Sequence, residues 1–319
     1  MWCGNLHHIK IITLFSNKNN EEEELDMKKK MIAMLCTAAM LAVAGCGSKA
    51  AEPVAEPVAE ATPVEEAVEE TATPEVTPEA TEEPAAVVEG DLMIAAAASL
   101  ENCLTEEIIP LFNESYPAIK VTGTYDSSGK LQTQIEEGAE VDVFFSAATK
   151  QMDALTEEQM IDAASVVNLL ENKIVLIVPT GSEGDYSKFE DIAKAETIAI
   201  GDPESVPAGQ YAEESLTNLG LWDGVLAKSS LGTNVTEVLN WVAEGSADAG
   251  IVYATDAAQM SDKVVVIDTA PADSVKQAIY PVGITTAAVN AEPAKLFVEF
   301  LQTPEAIAIF EKNGFSAVK

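Results

Sequence analysis

Apolar and polar residues along positions 91–319 switch repeatedly between the spacing of a strand and that of a helix. Short apolar runs such as Leu92–Ala97 indicate buried strands. Elsewhere apolar residues recur at helical spacing, most clearly Val235, Val238, Leu239 and Val242. Strands that alternate with helices are typical of an α/β fold, which we expect to have mainly parallel strands.

The first predicted helix follows the strand at Leu92–Ala97. Leu100, Leu104 and Ile108 recur along it at helical spacing. Pro110 falls inside this pattern and lacks the N–H that an interior helical hydrogen bond needs. The sequence therefore predicts a helix with a kink near Pro110.

Four Ser/Gly-rich turns each lead from a strand or loop into a helix. Their sequences are AAAASLENCL, YDSSGKLQTQI, GDPESVPAGQYAEE and GTNVTEVLNWV. The N-terminus of a helix offers unpaired N–H groups and the positive end of the helix dipole. Several such ends that converge can hold an anion without any charged side chain. These turns predict a binding site for a small inorganic oxyanion.

Composition limits the function classes. The chain has 319 residues and a formal net charge of −35, which disfavours nucleic-acid binding. Histidine occurs only at His7 and His8, so the segment 91–319 offers neither a His-based catalytic triad nor a His-ligated zinc site. Four cysteines, at positions 3, 36, 46 and 103, predict no disulfide framework and no cation site. We expect Cys103 to be a small buried residue.

The N-terminal region has the order of a bacterial export signal. Residues 1–26 are predicted to be an upstream mis-start without folded structure. Residues 27–45 read as a signal peptide, with a basic start, a short apolar run and a small-residue end. The sequence VAGC resembles the lipobox of bacterial lipoproteins, which implies lipidation of Cys46. The alternative is an ordinary signal peptide with a chance cysteine there.

Residues 46–90 are rich in Pro, Glu and Ala. Their low hydrophobicity and like charges predict an acidic tether. Together with the lipobox, this tether predicts an extracytoplasmic protein that is lipid-anchored to the cell membrane.

Five segments in order resemble one family. AAASL, SSG-x-L-x-x-QI with E-x-GAxxDVFFSA behind it, GDPExVPAGxYA, GIVY-x-xDA and YPV resemble the molybdate-binding proteins of molybdate ABC transporters. These are class II periplasmic-type solute-binding proteins. The resemblance implies a two-lobed α/β fold of the periplasmic-binding-protein type II, with the ligand in a cleft between the lobes. Lobe 1 would comprise 91–172 plus 281–319, and lobe 2 would comprise 173–280.

The resemblance also implies a ligand set and partners. The ligand would be molybdate or tungstate, bound without a cofactor and delivered to the permease and ATPase subunits of an ABC importer. We expect a monomeric binding protein with no catalytic residues, and molybdenum held as an oxyanion rather than as a cation. The implied ligand-binding residues are Ser99, Ser128, Ala208, Val235 and Tyr253. The serines and Tyr253 would donate through hydroxyl groups, whereas Ala208 and Val235 offer only backbone N–H groups.

Purely structural roles are alternatives at these positions. Ser99 also suits the N-cap of the helix that follows it, and Ser127 or Ser128 could cap the next helix. Tyr253 follows an apolar strand, where an aromatic residue is usually part of the core. Asp256 at the same strand end is predicted to fix a turn or a cap.

Two residues depart from the family pattern near the predicted site. Asp126 precedes the serine pair, where the family tends to carry small or apolar residues. A carboxylate that faced the cleft would repel a dianion, so we expect Asp126 to point outward or to act as a cap. Lys130 is expected to be solvated.

Other functions remain open from the sequence alone. Another tetrahedral oxyanion, above all sulfate, is the alternative ligand. The acidic composition is compatible with a hydrolase that uses a carboxylate pair, although no pair stands out. A tethered surface adhesin would fit the lipobox and the tether but not the oxyanion motifs.

Overall fold

The computed structural model describes residues 88–318. The predicted mis-start, signal peptide and lipidated Cys46, with nearly all of the predicted tether, lie outside the described residues. Between 88 and 318, every helix is too short or too polar to cross a membrane.

The strands alternate with helices, as the hydrophobic pattern predicts. The strands are β1 (Gly90–Ala97), β2 (Ile119–Asp126), β3 (Val143–Phe145), β4 (Val167–Asn172), β5 (Ile174–Pro179), β6 (Ile198–Gly201), β7 (Ser229–Gly232), β8 (Ala249–Tyr253), β9 (Val264–Thr269), β10 (Ala278–Ile284) and β11 (Ser316–Ala317).

The helices that follow these strands begin with α1, which spans 98–115 in four segments: a 3₁₀ turn Ala98–Leu100, an α-helical turn Glu101–Cys103, a π turn Leu104–Ile108 and an α-helix Ile109–Ser115. The other α-helices are α2 (Ser128–Glu136), α3 (Thr149–Glu157), α4 (Pro207–Asn218), α5 (Trp222–Leu226), α6 (Val235–Ala243), α7 (Ala254–Gln259), α8 (Ala291–Phe300) and α9 (Pro304–Lys312). Short 3₁₀ helices lie at Ala163–Ser165, Glu183–Asp185 and Phe189–Lys194.

The strands form two separate sheets. The first has the order β11-β4-β10-β3-β1-β2, and the second has the order β7-β6-β8-β5-β9. We call the first sheet with its helices lobe 1, and the second sheet with its helices lobe 2. The chain crosses between them at Lys173, between β4 and β5, and again within 270–277, between β9 and β10. β10 already lies in the first sheet at Ala278, slightly before the return at 281 that we expected.

The expectation of mainly parallel strands is wrong. β1 runs parallel to β2 and β3, and β6 runs parallel to β7 and β8. By contrast, β10 is antiparallel to β3 and β4, and β5 is antiparallel to β8 and β9. The antiparallel pairs involve strands next to the crossings. A chain that enters a sheet from the other lobe need not follow the helical crossover that makes strands parallel.

Burial follows the predicted periodicity. In α6, the buried residues are Val235, Val238, Leu239 and Val242, which confirms the predicted apolar stripe. Cys103 is buried as expected, and burial raises the pKa of its thiol to about 12. A thiol with so high a pKa is unreactive at neutral pH.

The helix type changes next to Pro110, where the sequence predicts a kink. The π turn Leu104–Ile108 directly precedes it, and Pro110 lies in the first turn of the segment Ile109–Ser115. A π turn inside a helix widens the backbone locally. The local change of helix type therefore lies where the proline has no N–H to donate to the preceding turn.

Candidate functional site

A small cavity lies between the two lobes, at the ends of β1, β2 and β8. All five residues that the family resemblance assigns to the ligand line it: Ser99, Ser128, Ala208, Val235 and Tyr253. The remaining lining residues are Ala97, Ala98, Asp126, Ser127, Ala147, Val206 and Pro207. Among the described residues that line the cavity there is no lysine. The structure thus brings the predicted residues together, and their binding of an anion stays a prediction.

Three α-helices begin at this cavity, beside the 3₁₀ turn that opens α1 at Ala98. Ser128 is the first residue of α2 and Val235 the first of α6, while Ala208 follows Pro207 in the first turn of α4. The first N–H groups of a helix have no partner within the helix. Since α2 belongs to lobe 1 and the other two helices belong to lobe 2, N–H donors approach the cavity from both sides.

The two serines of the DSSG turn have different surroundings. The Ser128 Oγ accepts a hydrogen bond of 2.9 Å from the backbone N–H of Ala147. It therefore keeps its own proton free to donate. The buried Ser127 Oγ has no hydrogen-bond partner among the described residues, and it lines the same cavity. Neither serine side chain caps α2, which excludes the capping role we considered for them.

Ser127 was missed as a site residue in the sequence. The adjacent serine pair is visible there, but the resemblance points only to Ser128. The difference between the two hydroxyls depends on Ala147, which lies beyond β3 and approaches Ser128 only in the folded chain.

Ser99 belongs to a buried polar network. Its Oγ lies 2.9 Å from the hydroxyl oxygen of Tyr280 in β10, and its side chain does not cap α1. The Asn172 Nδ2 donates to the Tyr280 hydroxyl at 3.2 Å and to the Thr255 Oγ1 at 2.9 Å. Asn172 is the last residue of β4, next to the first crossing at Lys173. The network thus connects the cavity with the crossing and with lobe 2.

Tyr253 is buried and still reaches the cavity. Its hydroxyl donates to the backbone carbonyl of Ala147 across the cleft at 3.2 Å. Its ring packs edge-on against Tyr280, with ring centroids 5.4 Å apart. Burial raises the pKa of Tyr253 well above its usual value, so the hydroxyl stays protonated and remains a donor. Tyr253 is therefore both a core residue and a lining residue.

Asp256 stabilises the end of β8 through a hydrogen bond to its backbone. Its Oδ2 accepts the backbone N–H of Tyr253 at 3.2 Å, which confirms the predicted turn or cap role. It is 1% exposed, and burial raises the pKa of its carboxyl to about 7, against the opposing effect of the Tyr253 N–H. A titrating group thus lies in direct contact with a cavity residue.

Lys130 differs from the expectation, whereas Asp126 agrees with it in part. Asp126 is one of the residues that line the cavity, and its carboxylate binds the backbone directly before α2, as a capping group would. Its carboxylate accepts the Ser127 backbone N–H at 2.8 Å and pairs with the Lys130 ammonium at 3.2 Å. The Asn234 Nδ2 also donates to it, at 3.3 Å. Lys130 is therefore an ion-pair partner, although its side chain keeps 37% exposure.

The lobes touch at two further places beside the cavity. The Gly129 N–H donates to the backbone carbonyl of Ser205 at 2.9 Å, which joins α2 to the loop before α4. The Gln151 Nε2 donates to the Gln210 Oε1 at 3.2 Å. These contacts make the cleft narrow in this structure.

The acidic residues of the described part of the chain are spread out. In residues 88–318, no group of three or more His, Cys, Asp or Glu residues is arranged to hold a metal ion. The arrangement suits an acceptor-only ligand, since hydroxyl and N–H donors predominate around the cavity.

Comparison with known proteins agrees with this geometry. The family of bacterial extracellular solute-binding proteins matches residues 92–316. Over 226 residues the chain is 44% identical to YvgL of Bacillus subtilis, named as an ABC transporter substrate-binding lipoprotein, with 71% of this chain and 86% of YvgL covered. It is 37% identical over 234 residues to the molybdate-binding protein ModA of Escherichia coli, with 72% of this chain and 90% of ModA covered.

A solved structure shows the same likeness. The substrate binding domain of a molybdenum ABC transporter from Clostridium difficile is 38% identical, with a TM-score of 0.57. The match covers 72% of this chain and 99% of that domain.

Proposed function

Since this chain belongs to the family of bacterial extracellular solute-binding proteins, we propose that it captures molybdate outside the cytoplasm for an ABC importer. Tungstate, an oxyanion of the same charge and shape, is proposed as a second ligand. The observation that carries the proposal is the cavity between the lobes, where helix N-termini and hydroxyl groups gather without a lysine.

The donor set suits a fully deprotonated oxyanion. A tetrahedral dianion offers only acceptors, so each of its oxygens can use the hydroxyl and N–H donors around the cavity. Hydrogen bonds to an ionised group contribute about 1.5–3 kcal/mol each, so several of them suffice for tight binding. Neutral donors also avoid the desolvation cost of burying a counter-charge.

The same set disfavours hydrogen phosphate. That anion carries a proton and needs an acceptor in the site. The carboxylate of Asp126 already accepts from Ser127, Lys130 and Asn234. A phosphate proton would therefore have to share an acceptor that is already engaged, so we expect hydrogen phosphate to bind more weakly than molybdate.

Sulfate is the remaining competitor by chemistry, because it is also a tetrahedral dianion. We propose molybdate over sulfate because ModA of Escherichia coli is a molybdate-binding protein and shares 37% identity with this chain. The larger oxyanion would be selected by the size of the closed cleft.

We propose the five lining residues Ser99, Ser128, Ala208, Val235 and Tyr253 as ligand-binding residues, with Ser127 added. Membership of the family supports binding without catalysis and delivery to a permease and its ATPase. Anchoring through a lipidated Cys46 is supported by the lipobox-like VAGC and by the lipoprotein name of YvgL.

Isothermal titration tests the proposed function. The purified protein is titrated with molybdate, tungstate, sulfate and phosphate at pH 7. We expect saturable binding of molybdate and tungstate and much weaker binding of the other two. Thermal unfolding provides a second readout, because a ligand that binds only the folded state raises the melting temperature. Tight sulfate binding without molybdate binding would overturn the assignment.

A further inference from the structure

Asp126 and Asn234 meet across the cleft beside the cavity. Asp126 ends β2 in lobe 1, and Asn234 precedes α6 in lobe 2. The Asn234 Nδ2 donates to the Asp126 Oδ1 at 3.3 Å. The two residues are 108 positions apart in the chain, so only the folded, closed arrangement brings them together.

Both ends of the Asn234 amide have a partner. Its Oδ1 accepts the backbone N–H of Glu237 at 2.9 Å, which makes Asn234 the N-cap of α6. This bond directs the Nδ2 toward Asp126. The orientation of the side chain is thereby fixed by two hydrogen bonds of opposite sense.

The Asp126 carboxylate links the starts of two helices. It accepts the backbone N–H of Ser127 directly before α2, and the Asn234 amide directly before α6. The next residue in each case, Ser128 and Val235, is a proposed ligand donor. A bond between Asp126 and Asn234 therefore holds a donor from each lobe at the same cavity.

A carboxylate in this position has an electrostatic cost. It lines a cavity proposed for a dianion, and like charges at short range repel each other. Lys130 offsets part of this charge through its ion pair of 3.2 Å. A contact that stabilises the closed cleft would offset the rest of this cost.

We propose that Asp126 and Asn234 form a latch, a charge-assisted hydrogen bond that stabilises the closed cleft and positions Ser128 and Val235 for the anion. Asp126 and Asn234 are positioning residues, since they act through their neighbours. The proposal rests on the proposed function for its ligand, but the contact between the lobes can be measured without one.

A double-mutant cycle tests the latch. Asn234→Asp keeps an equally good N-cap but sets two carboxylates against each other. Asp126→Asn removes the charge at similar volume. The double variant Asp126→Asn/Asn234→Asp restores the bond with donor and acceptor exchanged. Asn240→Asp, further along α6, adds the same charge away from Asp126 and serves as the matched control.

Molybdate affinity is the first readout. We expect Asn234→Asp to weaken binding at least about tenfold, because two carboxylates would face and repel each other in the closed cleft. Asp126→Asn should weaken it about threefold or more, since the bond loses its ionic component. The double variant should return to within about threefold of the wild type, a non-additive result that marks direct contact. The Asn240→Asp control should bind like the wild type.

A pure charge effect gives a different pattern. If Asp126 only repels the anion, Asp126→Asn tightens binding and the two changes combine additively. Either result would overturn the latch.

The second readout needs no ligand. Spin labels are attached at Lys150→Cys in lobe 1 and Thr217→Cys in lobe 2, both exposed positions, while Cys103 is buried. The distance distribution between them should shift to longer distances in Asn234→Asp and return in the double variant. Unchanged distances in Asn234→Asp would refute the latch. A wild type that binds no molybdate would instead refute the proposed function and leave this distance test in force.

Discussion

At Gly129, the addition of a single methyl group should weaken ligand binding without lowering the stability of the ligand-free protein. Its N–H donates to the Ser205 carbonyl of the other lobe at 2.9 Å. A Cβ built on Gly129 would lie 2.7 Å from the Ser205 Cα and 2.9 Å from its carbonyl carbon. These are backbone atoms, which cannot rotate away as a side chain would. Gly129→Ala should therefore prevent the full approach of the lobes.

The magnitude follows from the cost of overpacking. Extra methyl groups in tight contacts cost about 1–3 kcal/mol, which corresponds to roughly 5- to 150-fold weaker molybdate binding if closure is needed. With the lobes apart the methyl group no longer meets the Ser205 backbone, and alanine in a helix is more stable than glycine by about 0.5–1 kcal/mol. We expect weaker binding together with an unchanged or slightly higher melting temperature in the absence of ligand.

Isothermal titration and thermal unfolding of the same preparation measure both effects. Gly224→Ala is the matched control, because Gly224 lies in α5 and a Cβ there has no atom within 4 Å. The control should bind molybdate like the wild type. Wild-type affinity in Gly129→Ala would refute the requirement for closure at this contact.

Two further predictions concern the serine pair and pH. Ser127→Ala should weaken molybdate binding without lowering the ligand-free melting temperature, because its Oγ has no partner among the described residues. Ser128→Ala should lower both the molybdate affinity and the ligand-free melting temperature, because it also leaves the Ala147 N–H without its acceptor. Titration and thermal unfolding compare the two variants. Equal melting temperatures of the two ligand-free variants would contradict this difference. Folding raises the pKa of Asp256 to about 7, so the stability that its proton contributes is complete below about pH 4 and is lost as the pH rises through 7. Asp256→Asn should therefore show a smaller fall in melting temperature between pH 5 and 8 than the wild type, and parallel curves would contradict this.

Local periodicity predicts much of the fold, because the burial of apolar side chains determines which face of each helix or strand points to the core. The stripe of Val235, Val238 and Leu239 faces the core as expected, since a helix repeats its face every three to four residues. The helix starts after the Ser/Gly-rich turns were predictable for a similar reason, because turn and capping chemistry is local. The pairing direction of β5 and β10 depends instead on how the chain crosses between lobes, which no local pattern contains.

The family resemblance pointed to residues that line the cavity, but the partners of these residues depend on the folded chain. Asp126 and Lys130 are only four residues apart, but Asp126 ends β2 and Lys130 lies in α2, so their pairing depends on the turn between the strand and the helix. The contact between Asp126 and Asn234 could not be predicted from the sequence, since the two residues belong to different lobes. The pKa of Asp256 is equally a product of burial, and a chain without histidine beyond residue 8 gave no sign of a group that titrates near neutrality.

An acidic chain that binds an anion must rely on short-range contacts. With a formal net charge of −35, the protein repels a dianion at a distance instead of steering it inward. Salt screens that repulsion over about 10 Å, so the anion meets mainly the local dipoles once it enters the cleft. Those dipoles lie on both lobes, and an anion that binds the closed form better shifts the population toward closure by the difference in affinity. The contacts of Gly129, Tyr253 and Asn234 across the cleft therefore determine how tightly the anion is held.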